Sequence, residues 1–112
     1  MHAFGSIVLT RFPFTDLSAS KVRPALVISK NNNRRSDLIL AFITSNIASA
    51  LSDALLLQPT RRNGLKVPSL VRFDKIATLE AQIIAGKIGD AEPDFLKAAA
   101  NVFFSVFGFS AP

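Results

Sequence analysis

A chain of 112 residues, 49% of them hydrophobic, suffices for one domain with a real core, to which a partner subunit would add. It has no cysteine, which excludes a disulfide framework and a thiolate metal site. Its single histidine is His2 at the chain start, so no metal site and no cofactor are expected. The net charge of +5 is unevenly spread, with eleven basic and four acidic side chains in residues 1–79 against two and four in residues 80–112. The basic body suits a polyanion, through counterion release, or an acidic protein segment; plain solubility charge is the alternative.

The first run, Ser6 to Phe12, is mostly apolar, preceded by Gly5 and stopped by Pro13, and predicts a strand. Residues 13–22 carry the small and polar side chains of a loop. Arg23 to Ser29 predicts a second strand, with Pro24 tolerated at its beginning because proline cannot donate to a ladder. After a polar turn with two arginines over 31–37, Leu38 to Ile43 predicts a third strand that delivers Thr44 and Ser45 at its far end.

Asn46 to Asp53 reads as a short helix or loop, Ala54 to Gln58 as a weaker strand, and Pro59 to Gly64 as a basic turn bearing Arg61 and Arg62. Ser69 to Phe73 and Ile83 to Ile88 predict the last two strands. Glu92-Pro93-Asp94 opens a helix, with proline at its first position and acids near the positive end of the dipole; it should run to Phe107 and stop at Gly108. The apolar residues of that helix exceed one stripe. Some of its phenylalanines would stay exposed against a small barrel alone, which points to a subunit interface or a bound partner; a core helix under a covering loop is the plain alternative. The pattern as a whole predicts one domain over 1–112, mainly β, with a closing helix. No apolar stretch approaches the ~20 residues of a membrane span, and the N-terminus lacks a secretory pattern, so a cytoplasmic protein without membrane contact is expected.

No glycine-rich phosphate loop and no nucleophile elbow is present, which leaves arginine, aspartate and hydroxyl chemistry. Arg72 and Asp74 are two apart near a predicted strand end, so their side chains leave one face and flank Phe73, which points the other way. An aspartate that accepts a proton beside an arginine that stabilises a phosphorane suits attack by an RNA 2′-hydroxyl on its own phosphodiester, with no metal needed. A surface ion pair is the plain alternative. Arg23 opens its strand where a guanidinium can clamp phosphate bidentately, or merely guards a sheet edge. Thr44 and Ser45 can donate to a phosphate oxygen.

In order and at compatible spacing, Gly5-Ser6-Ile7-Val8, Phe12-Pro13-Phe14, Arg23-Pro24-Ala25-Leu26-Val27-Ile28-Ser29, Ile43-Thr44-Ser45, the stretch from Val71-Arg72-Phe73-Asp74 to Leu79, and Lys87-Ile88-Gly89 resemble the MazF/PemK toxins of bacterial toxin–antitoxin pairs. The resemblance implies a small SH3-like barrel with a C-terminal helix, a homodimer, and metal-independent cleavage of single-stranded RNA to 2′,3′-cyclic phosphate and 5′-hydroxyl ends. It implies inhibition by a cognate antitoxin with an acidic segment, and operator DNA binding only through the antitoxin complex. By the same resemblance Arg23 stabilises the scissile phosphate, Thr44 is the active-site threonine, and Arg72 with Asp74 matches the PemK branch, where the aspartate is proposed as base. Ser45, Lys21, Arg61 and Arg62 are expected to bind substrate. The first loop departs from the family, with Asp16 to Lys21 in place of a glycine-rich, histidine-bearing stretch in some members, so the cleavage sequence does not transfer. A non-enzymatic gyrase-binding toxin similar to CcdB, or a degenerate module that only binds nucleic acid or antitoxin, is the competing expectation; the apolar tail from Phe107 to Pro112 keeps the former open, while Arg23, Thr44, Arg72 and Asp74 together favour cleavage.

Overall fold

The computed structural model describes residues 2–11, 22–30, 36–49 and 53–110. The predicted loop over 13–22, with Lys21, lies outside these residues except for Val22, as do Phe12 and most of the turn over 31–37. Six strands form one antiparallel sheet: β1 (Ser6–Thr10), β2 (Arg23–Val27), β3 (Asp37–Thr44), β4 (Ala54–Leu57), β5 (Ser69–Glu80) and β6 (Gly86–Asp90). Their spatial order is β4-β5-β3-β2-β1-β6, and the sheet curls into a half-barrel closed by the helix α1 (Pro93–Val106). No helix among the described residues is long and apolar enough to cross a membrane.

Alternation along the strands separates two cores, because successive side chains leave opposite faces. Ile7, Leu26, Ala41, Ile43, Val71 and Phe73 are buried on the face that α1 covers. Val8, Ala25, Val27, Leu38 and Leu40 are buried on the other, with Phe42, Ala77 and Leu79 packed around them. Phe73 meets Phe103 of α1 edge to face at 6.4 Å, an arrangement favoured by the ring quadrupoles.

Two boundaries differ from the sequence expectation by three residues or more. β5 does not stop at Phe73 but runs on to Glu80. The polar Asp74-Lys75 step interrupts the apolar run without ending the strand, because Ala77 and Leu79 resume packing in the second core. The last strand begins at Gly86 rather than Ile83, since Ala81–Ile83 is a 3₁₀ turn between β5 and β6. α1 matches its expected range: Pro93 opens it, and Gly108 follows it at φ 74°, the left-handed conformation that glycine adopts without strain.

α1 is less enclosed than its composition demands. Ala99 is its single buried residue, and past its end Phe107 and Phe109 are exposed, Phe109 by 68%.

Candidate active site

The register of three strands gathers the predicted residues at one end of the sheet. Ala25 of β2 pairs with Phe42 of β3, which pairs with Arg72 of β5. Two residues toward the strand ends come Arg23 on β2 and Thr44 on β3, and residues two apart share a face. Arg23, Thr44 and Arg72 therefore project from the same face, with Thr44 and Arg72 as diagonal neighbours about 7–8 Å apart. Beyond Arg72 the β3–β5 ladder is irregular: Phe42 pairs with Arg72 but Ala41 pairs with Ile76, so Phe73, Asp74 and Lys75 stand outside it. Such a bulge re-aims side chains, and here it sets Asp74 against Arg72.

The contact is bidentate. Arg72 Nε donates to Asp74 Oδ1 at 3.0 Å and Nη2 donates to Oδ2 at 2.6 Å. The hydrogen bonds from Arg72 hold the Asp74 carboxyl below its ordinary range, against partial desolvation; the same bonds raise Arg72 above its own, with Asp53 adding to the effect. The carboxylate is thus ionised throughout the physiological range, and the guanidinium is a fixed cation.

Arg23 is half-buried and, among the described residues, has no ion-pair partner. It lines an open cleft of about 410 Å³ together with Ser45 and Lys66, whose walls include Leu9, Ile43 and Leu65. Thr44 Oγ1 accepts from Asn46 N at 3.1 Å, which holds the bend at Ser45 and leaves the threonine hydrogen to be donated elsewhere.

Arg61 and Arg62 are exposed but stand apart from this cleft. Their turn is tied to β6 and to the start of α1: Arg62 O accepts from Asp90 N at 2.9 Å. Buried Asn63 is its hub, accepting from Thr60 N and Leu65 N at 3.0 Å each and donating to Gln58 O at 2.8 Å and Glu92 Oε1 at 3.3 Å. Thr60 Oγ1 donates to the other oxygen of Glu92, and these bonds lower the Glu92 carboxyl.

Lys66, which sequence reasoning did not single out, is the cation this turn delivers to the cleft. The available signal was a lone lysine between the apolar Leu65 and Val67, just after Gly64. No group of three or more histidine, cysteine or carboxylate side chains among the described residues is arranged to hold a metal ion.

The comparisons bear on the fold and the family. Against the curated proteins, no sequence matches. The fold is similar to an endoribonuclease in complex with its cognate antitoxin from a mycobacterial species (TM-score 0.79, 17% identity, all of both chains). It is similar also to the Mycobacterium tuberculosis toxin MazF-mt6 (0.78, 19%, 95% of this chain and 99% of that one). A MazE–MazF structure from Deinococcus radiodurans aligns at 0.75 with 21% identity, over 97% of each chain. A family profile described as PemK-like, MazF-like toxin of type II toxin–antitoxin system matches residues 3–107. With a match that takes in every strand of the sheet, the site and the closing helix, the chain belongs to the MazF/PemK toxins of type II toxin–antitoxin systems.

Proposed function

We propose that this toxin is a sequence-selective endoribonuclease that cleaves single-stranded RNA without a metal. The observation that carries the reading is the bidentate Arg72–Asp74 pair on the same sheet face as Arg23 and Thr44. In the reaction the 2′-oxygen attacks the adjacent phosphorus while Asp74 takes its proton. The bond from phosphorus to the 5′-oxygen then breaks, leaving a 2′,3′-cyclic phosphate, and solvent protonates the departing 5′-oxygen. Arg23 and Arg72 stabilise the charge that gathers on the phosphorane oxygens, and Thr44 donates its hydroxyl to one of them.

The pairing also explains how a carboxylate held low can serve as a base. A phosphate that draws Arg72 away removes the hydrogen bonds that lower Asp74, so basicity rises when substrate is present. Arg72 does not act as an acid, because Asp74 holds its proton still more firmly than usual. Ser45 and Lys66 bind the flanking backbone in the cleft, Arg61 and Arg62 supply more distant attraction, and Lys21 adds to substrate binding. Cytoplasmic location, a single toxin domain over 1–112, an acidic antitoxin and operator DNA contact only through the antitoxin complex complete the proposal. A homodimer follows from the exposed apolar residues at the end of α1, Phe107 and Phe109.

The test is to incubate the purified chain with a long single-stranded RNA in excess EDTA, beside Arg23→Ala, and to map product 5′ ends. Cuts at a recurring short sequence by the wild type, slowed about 10²–10³-fold in the variant, are expected. Intact RNA with both proteins would overturn the reading and favour a gyrase-binding toxin acting through the exposed tail at Phe109.

A further inference from the structure

Phe73 stands between Arg72 and Asp74 in the chain, and its surroundings show what holds that pair in place. It is 1% exposed on the face that α1 covers, while Arg72 and Asp74 leave the other face. In the β3–β5 ladder Phe42 pairs with Arg72 and Ala41 with Ile76, so Phe73 stands outside that register. Its backbone N donates instead to Asp53 O, just before β4, at 2.9 Å. Its ring meets Phe103 of α1 edge to face at 6.4 Å, with an interplanar angle of 89°. Beside this contact lies a cavity of about 180 Å³, lined by Leu26, Ile28, Phe73, Phe103 and Phe104 among others. The Phe73 ring is therefore braced by Phe103 on one side and meets open space on another. Phe103 is itself packed on Phe107 at 4.9 Å and on Phe104 at 6.1 Å.

We propose that Phe73 and Phe103 are positioning residues for RNA cleavage: their edge-to-face contact beneath the bulge holds Arg72 and Asp74 at the spacing that the bidentate pairing requires. The proposal rests on the endoribonuclease reading above. Phe73 is the common chain neighbour of the two, so a tilt of its backbone moves their side chains relative to one another. The pair tolerates little of this, because hydrogen bonds of 3.0 and 2.6 Å weaken steeply as distance and angle drift. In a regular strand the ladder would fix this geometry; at a bulge the ladder is interrupted, and side-chain packing takes over. Truncating the Phe103 ring removes the brace, and the adjoining cavity gives Phe73 room to shift. Ordinary core packing is the competing role, and it predicts a loss of stability with no change at the pair.

The experiment compares the wild type with Phe103→Leu, Phe73→Leu and Leu38→Val, the last a truncation in the second core, where β3 pairs with Leu79 far from the site. For each protein the Asp74 carboxyl is titrated by carbon-13 NMR without RNA, and kcat and KM are measured on a cleavable RNA. In the wild type the hydrogen bonds from Arg72 hold Asp74 below the ordinary carboxylate range; Lys75 acts in the same direction, and Asp53 is the further charge that Arg72 feels. Phe103→Leu should move the Asp74 titration up toward that range as the bonds from Arg72 loosen. It should lower kcat about tenfold and leave KM within about twofold, since Arg23 and its cleft are untouched. Phe73→Leu should do the same and more. Leu38→Val should melt lower than the wild type, with the Asp74 titration and kcat unchanged. An Asp74 titration unmoved in the phenylalanine variants would overturn the proposal, as would an equal shift in Leu38→Val. If Phe73→Leu does not fold, Phe103→Leu decides, because Phe103 is only half-buried. A shifted titration with no RNA cleavage by the wild type would sink the endoribonuclease reading alone. Cleavage by the wild type with the titration unmoved in Phe103→Leu would sink the positioning role alone.

Discussion

The joint at Thr60, Asn63 and Glu92 and the rim at Arg23, Thr44, Arg72 and Asp74 are built from similar polar residues, but they use their hydrogen-bonding capacity in opposite ways. In the joint, Asn63 is fully buried and both ends of its amide are engaged, while both oxygens of Glu92 are taken up by the turn. On the rim, Arg23 has no ion-pair partner among the described residues and Ser45 is exposed. Arg72 and Asp74 saturate one another, but at a surface where side-chain exposures of 21% and 26% leave both open to exchange with a charged ligand. Saturated polar groups hold the fold together; groups with capacity left over, or with a partner that a phosphate can replace, are the ones available to bind and react. The presence of arginines in both regions shows why charge alone did not separate them.

The comparison breaks most severely at Gly64. Its φ is 72°, and a Cβ built there would stand 2.1 Å from the Ile88 carbonyl oxygen. Gly64→Ala should therefore lose about 3 kcal/mol or more, read as the midpoint of urea unfolding. Gly108 has almost the same φ, 74°, but nothing within 4 Å. Gly108→Ala should cost only the backbone strain, about 1–2 kcal/mol. Equal losses at the two positions would show that the joint does not depend on close approach of the turn to β6.

Part of this architecture is legible in the chain, and the reasons differ by element. β2 and α1 are marked by prolines at positions where no N–H is needed and, for the helix, by Gly108 after its end. The continuation of β5 was hidden because Asp74-Lys75 breaks the apolar run, although Ala77 and Leu79 keep the period of two. β6 was displaced because Gly86 and Gly89 look like breakers. Gly89 is required there, since a Cβ would lie 2.4 Å from the Arg62 oxygen and the Asn63 carbonyl. The basic turn shows its arginine side chains in the sequence, but it is anchored by its backbone and by Asn63, which carries no charge to notice.

On the rim, Asp74→Asn tests whether the pair is catalytic or only structural. The substitution keeps shape but removes the base, and should slow RNA cleavage about 10²-fold. Stability should change by less than about 1 kcal/mol, as for other surface ion pairs. Full cleavage by the variant would make Asp74 a partner that positions Arg72 and nothing more. The pH profile sharpens the point. Because Arg72 lowers the free carboxyl, the acid limb of kcat/KM should lie below the ordinary carboxylate range, and Asp74→Asn should remove that limb.

The smallest effect, and the one that separates the two regions most directly, belongs to Glu92. The hydrogen bond from Thr60 is the largest cause of its lowered pKa, so its carboxylate is favoured in the folded protein over the unfolded chain. A group lowered on folding contributes stability above its unfolded pKa, about 4.3 for glutamate, and loses that contribution as pH falls through the folded value. Glu92→Gln should accordingly be less stable than the wild type by about 1 kcal/mol at pH 7, a figure kept small because the group is only partly shielded from water. The gap should close as the pH drops below the carboxylate range, where the wild type too is neutral. RNA cleavage at pH 7 should be unaffected, since the joint lies outside the cleft. A stability gap independent of pH would mean that the charge of Glu92 plays no part in holding the turn to the helix, and that the carbonyl of glutamine serves Thr60 and Asn63 less well through geometry alone.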